Sequence, residues 1–196
     1  RESRAIEQEA IELAGLQARV PGSPAAYSES VAVRTASLSN RAKRAMALAE
    51  IAPPLLDAMP NSPVMPFEGR TWENRDVDAE LPTEARVPLR IDRRCVTGEH
   101  EPVSIKLLNV TIDAASVRTT VETATDGLVV TPHEVKPVPT NPEQGTTAWD
   151  PIVALGVGDS ITIPSFETRE IWLDIDANNA AAGQHRIEVI LHAGGT

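Results

Sequence analysis

The stretch Ile171-Trp172-Leu173-Asp174-Ile175-Asp176, followed after a turn by His185-Arg186-Ile187-Glu188-Val189-Ile190-Leu191, decides the fold class. Each half alternates apolar and polar residues, the period of a strand with one buried face. The segment between them holds Asn178, Asn179 and Gly183, residues that accept the backbone angles of a turn. The pattern predicts a long antiparallel hairpin that closes a β-sandwich.

Upstream, short apolar alternations recur. Val87, Leu89 and Ile91 form one, Val103, Ile105 and Leu107 a second, and Val117, Thr119 and Val121 a third. A turn at Thr125-Asp126-Gly127 leads into Leu128-Val129-Val130, which Val135 and Val138 continue past Pro132. A loop containing Pro and Gly is expected from Pro139 to Pro151, carrying Trp149, before Ile161 and Ile163. Strands at this spacing, with no helical pattern between them, predict an antiparallel immunoglobulin-like sandwich and not a parallel α/β sheet. The 16 prolines and the 3% aromatic content fit many edges and connections.

The N-terminal part has a different period. Ile6, Ala10, Leu13 and Val20 recur at helical spacing, with Leu16 beside them, and Pro21-Gly22 ends the run. Ser23-Pro24 then supplies an N-cap and a first-turn proline for a second helix to about Ile51, stopped by Pro53-Pro54. Its inner stripe is Val31, Leu38, Ala42, Ala45 and Ala49. The short link predicts an antiparallel helical hairpin. It would cover an edge of the sandwich or serve as a partner surface. The expected organisation is a mainly β chain: a helical hairpin over 1–52, a Pro-rich linker or edge segment over 53–84, and the β-sandwich over 85–196.

The net charge of −10 over 196 residues argues against nucleic acid and anionic membrane surfaces as partners. No apolar run is long enough to span a bilayer, so membrane insertion is not expected. The first residue is Arg1 and not Met, the pattern of a processed or excised chain. The single cysteine, Cys95, excludes an intrachain disulfide and is expected to be a small packing residue.

Two segments together carry a resemblance. Gly98-Glu99-His100-Glu101-Pro102-Val103-Ser104 resembles a recurring strand opening, Gly-Glu-x-Glu-Pro-x-Ser. Asp150-Pro151-Ile152-Val153-Ala154-Leu155, then Thr168 to Ile175 with Trp172, and Ala182-Gly183-Gln184-His185, are similar to the ending of immunoglobulin- or fibronectin-like domains. Such domains precede the catalytic barrel of bacterial secreted proteins that resemble glycoside hydrolases. His185 stands where the usual aromatic would, and Ala182 where the usual proline would. The resemblance covers about residues 87–191. It implies a non-catalytic accessory or interaction module of a larger extracytoplasmic protein, with a neighbouring domain or another protein as partner and no catalytic residue of its own.

The alternative is a carbohydrate-binding module using exposed tryptophans, with polysaccharide as partner. Trp149 and Trp72 are its candidate ligand-binding residues. A free-standing enzyme is the third possibility, for which no converging acid–base set is visible. One of Trp172 and Leu173 must face away from the core, and Trp172 is assigned to packing. Asp174 and Asp176 share a strand face, which could begin a calcium site but more simply makes a solvated face. Glu99 and Glu101 share one face and His100 takes the other. His185 and His192 sit at odd separation on one strand, and His133 follows a proline in a loop. This pattern predicts neither a metal site nor a cofactor. Asn109-Val110-Thr111 matches a glycosylation sequon, and Gly156-Val157-Gly158 lacks the lysine and helix of a phosphate loop.

Overall fold

The structure, a computed structural model, describes residues 62–71, 88–141 and 146–195, and from the N-terminal part Ala42, Met46, Leu48 and Ala49. The chain divides into two compact units, Arg1–Glu50 and Ile51–Thr196. In the first, the four described residues are helical, with Leu48 buried and Met46 exposed. The expected helical hairpin otherwise lies outside the described residues.

The second unit is β. Its strands are β1 (Val64–Glu68), β2 (His100–Asn109), β3 (Ala115–Thr123), β4 (Val129–Asn141), β5 (Thr146–Ala154), β6 (Ser160–Ile163), β7 (Thr168–Asp176) and β8 (Ile187–Gly195). A five-stranded sheet has the order β1-β2-β7-β4-β5, and a three-stranded sheet the order β6-β3-β8. Every pairing is antiparallel.

One apolar cluster draws on both sheets. Val103, Ile105 and Leu107 of β2 and Ile171, Leu173 and Ile175 of β7 contribute from the larger sheet. Ala115 and Val117 of β3 and Ile161 and Ile163 of β6 contribute from the smaller one. These residues sit two apart along each strand, so one face of each strand is apolar and the strands fall into register around it.

Four expectations are corrected. First, the terminal stretch is not a hairpin. β7 pairs with β2 and β4, whereas β8 pairs with β3 in the other sheet. Residues 177–186 cross between sheets, a far longer link than the two to five residues typical of hairpins. Second, the segment from Pro139 to Pro151 is mostly strand, with Trp149 on β5 opposite Pro137. Its prolines are tolerated because β4 pairs with β7 only as far as Val135 and β5 lies at the sheet edge. The register shifts on either side of the pairing at Pro137–Pro139 absorb the missing donors. Third, Leu89 and Ile91 pack partly against the core but form no strand, with no ladder partner among the described residues; Val87 lies outside them. Fourth, Cys95 is exposed, in the irregular segment just before the turn that Gly98 closes at φ 92°.

Within the expected Pro-rich segment, β1 is an edge strand carrying Pro66 and paired to β2. No helix among the described residues is long and apolar enough to cross a membrane.

Candidate functional site

The face of the larger sheet turned away from the shared cluster is unusual for an outer face. On it lie Met65, Ser104, Lys106, Leu108, Val135, Thr168, Glu170 and Trp172, all buried. Both faces are therefore dry where Ser104–Leu108 of β2 pair with Thr168–Trp172 of β7. This explains why Trp172 and Leu173 compete in the sequence: Leu173 joins the shared cluster, and Trp172, buried at 9% exposure, packs on the opposite face.

Pairing builds a polar network there. Ser104 and Trp172 are cross-strand partners, as are Lys106 and Glu170. The Glu170 carboxylate, 3% exposed, accepts from the Ser104 hydroxyl at 2.5 Å and from the Trp172 indole at 2.6 Å, both at Oε1. A buried carboxylate needs such donors, because an unpaired one costs several kcal/mol. Gly69 fits closely against this network, with its amide donating to the Ser104 carbonyl at 3.0 Å.

Further along the same face the surface opens into a shallow depression of about 280 Å³ lined by His100, Pro102, His133, Ile152, Trp172 and Asp174. Four strands supply it: β2, β4, β5 and β7. His100 Nδ1 lies 3.1 Å from Asp174 Oδ1 and 3.3 Å from Oδ2. His133 Nδ1 is 3.0 Å from the Thr131 carbonyl oxygen. Since a carbonyl only accepts, that nitrogen carries its proton, and Nε2 is the acceptor of the neutral ring. An imidazole held by a carboxylate is part of a hydrolytic arrangement. Ser104 lies on the same face of β2 as His100, yet its hydroxyl donates to Glu170 instead.

The remaining candidates are dispersed. Trp72 lies outside the described residues. Trp149 has its backbone on β5, three residues before Ile152, and its side chain is outside the described set. His133 stands on β4 and not in a loop. Asp174 and Asp176 do share a face, but Asp174 meets His100 while Asp176 Oδ1 accepts from the Asn178 amide at 2.9 Å. His185 precedes β8, so it does not share a strand with His192; it lies 2.7 Å from the Ala181 carbonyl and 3.1 Å from the Thr125 hydroxyl. No group of three or more His, Cys, Asp or Glu fit to hold a metal occurs among the described residues.

The sequon is structural. Asn109 is fully buried, and its Nδ2 donates to the carbonyls of Asp113, Ile163 and Pro164 at 2.8, 3.0 and 3.2 Å. Its Oδ1 accepts from the Thr111 amide and hydroxyl. The Asn and Thr of the motif thus tie β2 to the end of β6. Gly156-Val157-Gly158 is a turn in which the Asp159 carboxylate accepts from the Gly156 amide at 2.7 Å, with Gly158 at φ 94°.

The depression itself was missed by sequence reasoning. Its residues come from four strands, and only the pairing of β7 between β2 and β4 joins them. No family model matches the chain, and no curated protein sequence matches it.

Proposed function

We propose that the chain is a non-catalytic accessory and interaction module of a larger extracytoplasmic protein, with residues 51–196 built as an immunoglobulin-like sandwich. The observation that supports this most is the internal commitment of the polar groups around Trp172. His100 faces Asp174, His133 faces a backbone carbonyl, and Ser104 and Trp172 both serve Glu170. With the Ser104 hydroxyl spent on the buried Glu170, this face sets no nucleophile beside either imidazole, and its polar groups hold the surface in shape. In this reading the module works mechanically, by positioning a neighbouring domain that acts on carbohydrate.

The test is made on the protein encoded by the native reading frame. Deleting residues 51–196 should lower action on polymeric substrate while leaving action on a small soluble substrate intact. A reading frame that encodes no further domain, or hydrolytic activity in the 196-residue chain itself, would overturn the proposal.

One observation favours carbohydrate binding as a second reading. β5 is a sheet edge that forms one wall of the depression through the half-exposed Ile152, and Trp149 lies on the same strand. An aromatic ring on an edge strand is a stacking platform for a sugar. Tryptophan fluorescence titrated against a glycan panel should then respond, and Trp149→Ala should remove the response. A flat titration across the panel rules this reading out.

A further inference from the structure

The two sheets end in four edges among the described residues, and three carry a feature that discourages pairing. β1 has Pro66 at its centre, β5 contains Pro151, and β6 is only four residues long. β8 has none of these. It runs nine residues from Ile187 to Gly195 with no proline and no lysine, and its ladder with β3 keeps one register from Thr123–Ile187 to Ala115–Gly195. Its other side pairs with no strand among the described residues.

The core is also incompletely closed there. Ile187, Val189, Leu191 and Ala193 point inward and pack against the shared cluster, yet all four are only half-buried. Val117, on the adjacent β3, is 1% exposed. The apolar cluster thus reaches the β8 edge, where no strand among the described residues closes over it.

We propose that β8 is an interface on which a second copy of this chain adds its own β8, antiparallel, about a two-fold axis through Ile190. The strand's sequence argues for a second copy as the occupant. Only an axis through a residue keeps inner faces with inner faces. The axis at Ile190 sets Ile190 against its counterpart, Val189 against Leu191, Ile187 against Ala193 and Glu188 against His192 of the second copy. Apolar residues meet apolar ones, and the one carboxylate meets the one imidazole, twice by symmetry. An axis at Val189 would instead set Glu188 against Ile190, and one at Leu191 would set Ile190 against His192. Glu188 and His192 are exposed and Ile190 half-buried, so the outer face of the strand is accessible. The result is a six-stranded sheet across the dimer. The proposal is independent of the module's role.

Cross-linking tests the register directly, in a Cys95→Ser background that removes the native exposed thiol. Under mild oxidation Ile190→Cys should give a disulfide-linked dimer, because opposed residues in an antiparallel pair lie about 4.5–5.5 Å apart at Cα. Glu188→Cys alone should not, whereas a mixture of Glu188→Cys and His192→Cys should. In sedimentation of the 196-residue chain, Glu188→Lys should weaken association by about tenfold, and Glu188→Lys/His192→Glu should restore it. Circular dichroism confirms that each variant is folded. A chain that stays monomeric up to millimolar concentration overturns the proposal. So does cross-linking of Ile190→Cys no faster than Glu188→Cys, or a dimer indifferent to Glu188→Lys.

Discussion

The indole nitrogen of Trp172 donates at 2.6 Å to the carboxylate of Glu170, two residues earlier on the same face of β7. This bond holds the Trp172 ring from the side where it lines the depression. Trp172→Phe keeps an aromatic ring but removes the indole donor and part of the buried side chain, and should cost about 2–4 kcal/mol, the lost hydrogen bond to a charged group plus lost packing. Glu170→Ala strands the Ser104 and Trp172 donors together and should cost more, about 3–5 kcal/mol. Urea unfolding of the two variants checks the order.

Asn109 offers its amide to three carbonyls at once. Asn109→Asp replaces those donors with a carboxylate that faces carbonyl oxygens in a buried site. A loss of about 2–4 kcal/mol is expected, with a lower melting temperature. Calorimetry that finds Asn109→Asp as stable as the parent would contradict the role given to this side chain.

Thr119 presents the opposite case. Its hydroxyl oxygen is buried on the inner side of β3 and has no hydrogen-bond partner. Thr119→Val keeps the shape and removes the polar group, so it should stabilise the protein by about 1 kcal/mol. Denaturant midpoints measured side by side show the sign.

Gly127 and Gly158 both have positive φ, at 79° and 94°. A side chain at Gly127 would also collide with the backbone carbonyl of Asn179, whereas nothing lies near the corresponding position at Gly158. Gly158→Ala should therefore cost only the conformational term, about 1–2 kcal/mol. Gly127→Ala should cost clearly more, because the turn after β3 and the turn after β7 must separate. Equal thermal shifts for the two would refute this.

Cys95 is exposed in the irregular segment before β2. A thiol reagent should modify it fully in the native protein, at the rate seen in denaturant within about tenfold. Labelling that requires unfolding would return Cys95 to the interior.

The strands that could be read from the sequence are those with one dry face and one wet face, or a clear run of β-branched residues: β3, β6 and β8 above all. β5 could not, because Pro151 and the Pro-rich end of β4 imitate a loop unless one knows that both border the sheet edge. Alternation at Leu89 and Ile91 was legible but misleading, since period alone does not supply a ladder partner. The same limit applies to the end of the chain, where the pattern shows two strands without showing that they belong to different sheets. At the depression, His100 and Asp174 are visible as residues, but they are 74 positions apart and meet only through the register of β2 against β7.

The position of β7 sets the order in which the protein can be made. β1 and β2 lie on one side of it and β4 and β5 on the other, and no other strand among the described residues joins the two pairs. While the chain is being synthesised, those halves stay separate until residues 168–176 have left the ribosome. The apolar faces of β2 and β4 are meanwhile open to other chains. Such long-range closure makes for slow folding and a wait during which nascent chains are prone to associate wrongly. Any pause before residues 168–176 have emerged would lengthen that exposure, and their emergence would end it.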